Sequence, residues 1–130
     1  MKMNGDFVLK VALGHPDRVL RPNGRAHWAM RARAVREARG RARLVMVCRL
    51  RELHEACLLP EGWRPDRYVV RWFYKGRQPD ADNCLAACKA YLDGCADALG
   101  LDDSALECAC IERVRDFENT GKVELLFFRY

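Results

Sequence analysis

Asp80 and Asp82, followed at once by Asn83, stand ahead of an apolar-patterned stretch, and Asp102 and Asp103 come directly after it. Lys89 lies between the two groups. Carboxylates crowded within a few ångströms raise one another's pKa unless a hard divalent cation stabilises the ionised forms, so the pattern suits a metal-dependent reaction on a polyanion. Mg²⁺ is the expected cofactor, with Mn²⁺ as an alternative, because it takes oxygen ligands, keeps several waters and can activate one of them for attack on a phosphate. The candidate metal ligands are Asp80, Asp82, Asp102 and Asp103, and Lys89 is placed to neutralise a phosphate or orient the attacking water. Quieter readings stand beside this one: Asp82 suits an N-cap, Asp80 a turn, and the doublet a solvated loop.

Whether these groups meet depends on the helix between them. Residues 82, 86, 89 and 93 are separated by steps of four, three and four and share a face. Lys89 lies two turns from Asp82, about 10 Å along the axis, with Ala86 leaving the path open and a long stem to recover the gap. Asp102 and Asp103 lie farther on. They meet Asp80 only if the sheet brings the start of the following strand beside the end of the preceding one.

The elements that must do this can be read from periodicity. Phe7 to Leu13 reads as a strand, ended by Gly14-His15-Pro16. After the Pro22-Asn23-Gly24 turn a helical stretch runs from about Ala26 to about Cys57, with Leu44, Val47, Leu50, Leu53 and Cys57 as its apolar stripe. Tyr68 to Tyr74 is the clearest strand, β-branched and aromatic, broken by Gly76 to Pro79. Leu85, Cys88, Leu92, Cys95 and Leu99 step by three and four and predict a second helix, closed by Gly100. Ala105 to Phe117 and Lys122 to Arg129 are two further strands, joined through Asn119-Thr120-Gly121 as a hairpin loop. The order β-α-β-α-β-β predicts an α+β two-layer sandwich, a small mixed sheet with two main helices, as one domain over residues 1–130.

Charge is unevenly spread. Lys plus Arg outnumber Asp plus Glu by 23 to 18, a net charge of +5, and between Arg18 and Arg51 eleven arginines face one acid, Glu37. Arg25, Arg31, Arg33 and Arg36, with Arg77 beside the first acidic pair, are the candidate contacts to DNA phosphates, a salt-sensitive interaction with little base specificity. His27 and Trp28 read as packing at a helix start, and His15 and His54 have no visible partner. The seven cysteines include no pair at structural-zinc spacing and read as buried free thiols. No apolar run reaches membrane-span length and residues 1–6 lack a signal-peptide core, so the expectation is a reducing cytoplasm and no membrane.

Asp80-Ala81-Asp82-Asn83, Lys89, Asp93-Gly94 and Asp102-Asp103-Ser104, in that order, resemble the signature of the RusA family of Holliday-junction resolvases, endonucleases common in phages and prophages. Asn23-Gly24-Arg25-Ala26-His27-Trp28, with the arginines that follow, resembles the segment many phage-type members carry before their first helix. Together the matches span most of the chain. In the best-known branch the lysine follows the asparagine by three residues; here Ala86 holds that place and Lys89 stands one turn later, as in phage-type relatives. The resemblance implies a homodimer with an α/β fold, Mg²⁺-dependent hydrolysis of phosphodiester bonds at four-way or related branched DNA, and three essential aspartates per subunit. Carried onto this chain these are Asp80, Asp82 and Asp103, with Lys89 beside them and Asp102 as the less favoured member of the doublet. A catalytically silent nucleic-acid-binding protein that keeps the fold and the basic surface is the alternative, and a small scaffold protein a third reading.

Overall fold

The computed structural model describes residues 7–22 and 27–130. Four strands, β1 (Val8–Gly14), β2 (Arg67–Tyr74), β3 (Glu107–Arg115) and β4 (Lys122–Phe128), form one mixed sheet in the order β1-β4-β2-β3. Strand β4 is antiparallel to both β1 and β2, whereas β2 and β3 run parallel. Helix α1 (Trp28–Glu55) joins the first two strands, and α2 (Ala81–Ala87) with α3 (Lys89–Leu99) makes the crossover between the parallel pair. The architecture is α+β, as the alternation of periods predicts.

Apolar side chains cluster on the helix-covered face. Val11, Leu125, Val70 and Ile111 stand in one row across the four strands, flanked by Leu9 with Phe127 and by Leu13 with Val123 and Trp72. Most of these are fully buried and belong to one contiguous core with the helices. On the opposite face the row Ala12, Glu124, Arg71, Glu112 is polar. Glu124, only 3% exposed, lies 3.0 Å from Arg71 Nη1 and from Lys122 Nζ and 3.5 Å from Lys10 Nζ, so three cations offset the cost of removing one carboxylate from water.

Several sequence expectations change here. Strands β3 and β4 do not form a hairpin: the loop after β3 carries the chain past β2, and β4 inserts between β1 and β2. Asp116 holds that loop, its carboxylate accepting from Thr120 N, Thr120 Oγ1 and Gly121 N at 2.8–2.9 Å while Asn119 and Gly121 take positive φ. The burial is consistent with this placement, because Val-Glu-Leu-Leu-Phe-Phe is nearly continuous and suits a central strand, whereas exposed residues interrupt β3 as they do at an edge.

The stripe of α1 also differs. Ala34, Ala38, Ala42, Met46 and Leu53 are buried, while Leu44 is 64% exposed and Cys57 lies outside the helix and exposed. Small residues at four-residue steps let α3 come close, and Gly94 on α3 completes the contact: a Cβ there would stand 2.2 Å from the Arg39 carbonyl oxygen. Trp28 is likewise exposed, at 76%, beside the His27 ring instead of in the core.

The expected second helix is two. At Cys88 (φ −90°, ψ 0°) the N–H is shared between the carbonyls of Cys84 and Leu85, and the regular helix is interrupted there. Helix α2 then packs on β2 and β3, and α3 on α1. Cys84, Cys88 and Cys95 are buried as expected, but Cys48, Cys57 and Cys110 are exposed.

Candidate functional site

Asp80, rather than Asp82, caps the helix. Its Oδ1 accepts the Asp82 N–H at 3.3 Å, which places Asp82 in the first turn of α2 with its own carboxylate exposed. The approach to this cap is held by Arg113 of β3, whose Nη1 donates to the Pro79 carbonyl at 3.2 Å. Asp80 and Asn83 form one wall of a cleft of about 540 Å³ at the end of β2, with Arg77 in the same lining.

The doublet lies elsewhere. Asp102 caps a short 3₁₀ turn, Asp103–Ala105, by accepting the Ser104 N–H at 3.1 Å. Asp103 turns toward α3, where Lys89 Nζ donates to Asp103 Oδ2 at 3.0 Å and to Asp93 Oδ1 at 2.9 Å. Lys89 thus reaches forward along its helix, away from Asp82. The two hydrogen bonds raise the Lys89 pKa above its ordinary value, and the ammonium, with Asp102 next, holds Asp103 below the usual carboxylate range. One turn along, Arg39 of α1 grips Asp97 through Nε at 2.6 Å and Nη2 at 2.8 Å, a fork that raises the guanidinium pKa and lowers the Asp97 pKa. Arg39, Asp93, Asp97, Asp102 and Asp103 line a second, smaller cleft of about 330 Å³.

The structure therefore separates what the sequence placed together. Because β2 and β3 are parallel, with Arg67 opposite Glu107 and Tyr74 opposite Arg115, the start of β3 lies beside the start of β2 and not beside its end. Asp80 and Asp82 follow the end, whereas Asp102 and Asp103 precede the start. Among the described residues no three His, Cys, Asp or Glu side chains form a group that could hold a metal ion. The expected ligands Asp80, Asp82, Asp102 and Asp103 are thus not gathered into one such group within the chain.

The basic residues divide as well. Arg31 Nη1 donates to the Val19 carbonyl at 2.9 Å and ties the start of α1 to the preceding turn. Arg33 and Arg36 are exposed, with no ion pair among the described residues. Arg25 lies outside the described residues. Sequence reading gave no role to Asp93, although its four-residue step from Lys89 is a visible ion-pair signal. Arg39 with Asp97, and His15, Arg21 and Lys75 in the first cleft, depend on contacts distant in sequence.

No family model and no solved structure matches the chain. A protein of Xylella fastidiosa (strain Temecula1 / ATCC 700964), described as an uncharacterized protein, is 42% identical over 95 residues, covering 72% of this chain and 59% of that protein. The chain thus matches somewhat more than half the length of that relative. Among the described residues no helix is long and apolar enough to cross a membrane.

Proposed function

We propose that this protein is a Mg²⁺-dependent, structure-selective endodeoxyribonuclease of the RusA type, acting in the cytoplasm as a homodimer on four-way or related branched DNA. The observation that carries the reading is the division of its acids into two groups: Asp80 and Asp82 at the start of the crossover, and Asp103, which follows it, held by Lys89 at the start of α3. A twofold partner can set one protomer's first group beside its partner's second, giving two equal sites, which is what paired nicks in a junction require. Mg²⁺, or Mn²⁺ in its place, would then supply an activated water to a site completed only by association. Lys89 arrives with Asp103 and can meet the phosphate, while exposed Arg33 and Arg36 contact the backbone of the arms.

The alternative, a catalytically silent nucleic-acid-binding protein, is favoured by one observation. Lys89 already satisfies Asp93 and Asp103 within the chain, so this cluster is stable without any ion. The experiment that decides is cleavage of a labelled four-way junction beside a linear duplex of the same sequence, with Mg²⁺ or chelator, for the native protein, Asp82→Asn, Asp103→Asn and an equimolar mixture of the two variants. Paired nicks in the junction alone are expected from the native protein, none from either variant, and single unpaired nicks from the mixture, because exchange of subunits gives a mixed dimer with one intact site. Junction binding without scission would establish the silent reading.

A further inference from the structure

The first cleft contains more than one acidic wall. Both His15 and Trp72 line it, the half-buried His15 ring lying against the 5% exposed Trp72 at a centroid distance of 4.8 Å. His15 is fixed in place, its Nε2–H donating to the Phe73 carbonyl at 2.7 Å. Arg21 and Arg77 line the same space, and neither has an ion-pair partner among the described residues. Asn83 adds an amide that both donates and accepts. An imidazole backed by an indole, two cations and an amide make a combination that stacks a base, binds its phosphate and pairs with its edge. A volume of about 540 Å³ suits a small ligand instead of a duplex.

We infer that this cleft takes one unstacked nucleotide of a DNA strand, its base against the His15 ring that Trp72 backs, its phosphate between Arg21 and Arg77, and its edge on Asn83. The inference rests on the nuclease reading for its ligand class and deepens it, because Asp80 borders the cleft and the next phosphate of the strand would lie beside that carboxylate. Selectivity for branched DNA then has a physical origin: nucleotides at a branch point unstack at lower cost than those in a continuous duplex.

The test separates this inference from catalysis by working in chelator. The full-length protein is titrated with a short single-stranded oligodeoxynucleotide, with the same strand carrying one central abasic site, and with inorganic phosphate. Affinity and the Trp72 indole N–H resonance, assigned with Trp72→Phe, are followed. The intact strand is expected to bind about tenfold more tightly than the abasic one, and it alone should move the Trp72 resonance. Asn83→Ala should remove the part of the difference that edge pairing supplies and leave the stacking part, and Arg77→Ala should weaken both by about tenfold. Equal affinity for intact and abasic strands, no strand binding, or a Trp72 resonance that responds equally to inorganic phosphate would overturn the inference. A protein that cuts no DNA but passes this test loses the nuclease reading and keeps the cleft.

Discussion

Lys89 Nζ and Asp103 Oδ2, fourteen residues apart, meet at 3.0 Å, with Asp93 on the other side of the ammonium at 2.9 Å. The bond holds Asp103 against the start of α3. Both side chains are largely exposed, and exposed pairs contribute little to stability. Asp103→Asn and Lys89→Ala are therefore expected to leave the thermal midpoint nearly unchanged while abolishing or strongly reducing junction cleavage. Calorimetry beside a cleavage assay checks this, and a large fall in the midpoint would make the pair structural.

The close contact of α1 with α3 predicts opposite effects at two glycines. A Cβ at Gly94 meets the Arg39 carbonyl oxygen at 2.2 Å, so Gly94→Ala must push two helices apart, at a cost of about 2–3 kcal/mol. Gly40, in the middle of α1, faces open space. Gly40→Ala should stabilise by roughly 0.5–1 kcal/mol through the unfolded chain and helix propensity. Urea denaturation of the two variants distinguishes the signs.

Glu124 gives a pH dependence. Burial alone would raise its pKa, yet hydrogen bonds from Lys122 and Arg71 and the charge of Lys10 leave it lower than in the unfolded chain. A carboxylate lowered on folding contributes stability above its unfolded pKa and loses it as pH falls through the folded value. The native protein should thus lose stability below about pH 4.5, and Glu124→Gln should flatten that part of the profile. At neutral pH the substitution should cost about 1–2 kcal/mol, less than for a fully buried pair because the three cations keep some contact with water. Thermal midpoints across an acid series test both statements.

Thiol reactivity should separate into classes. Cys48, Cys57 and Cys110 are exposed and should react quickly with a disulfide reagent, with Cys108 slower. Burial pushes the Cys84 thiol up to about 11 and that of Cys95 to about 12, and raises Cys88 further, so these three should react only on unfolding. Mass spectrometry after brief labelling gives the assignment.

Removal of Arg33 and Arg36 together should weaken junction binding uniformly across sequences and reduce the slope of log affinity against log salt by about two. An unchanged slope would place the DNA elsewhere on the protein.

How much of this was legible beforehand differs between the levels of structure. The strand at Tyr68–Tyr74, the helix closed by Gly100 and the α+β class follow from residue period and turn chemistry, because such signals are local. The acidic groups, the lysine between them and the arginine-rich stretch are likewise properties of the chain. The alanine stripe of α1 was present in the sequence at four-residue steps but concealed by larger apolar neighbours such as Leu44, whose hydrophobicity did not lead to burial. Tertiary structure alone decided that β4 enters the centre of the sheet, and thereby that β2 and β3 are parallel neighbours at its edge. From that pairing everything about the candidate site follows: a parallel crossover returns the chain to the end where it began, so Asp80 and Asp103 separate, Lys89 goes with Asp103, and the space vacated at the end of β2 becomes a cleft lined by residues from five parts of the chain. Local sequence records which groups are available for chemistry, but only the hydrogen-bonded order of the strands determines which of them share a site.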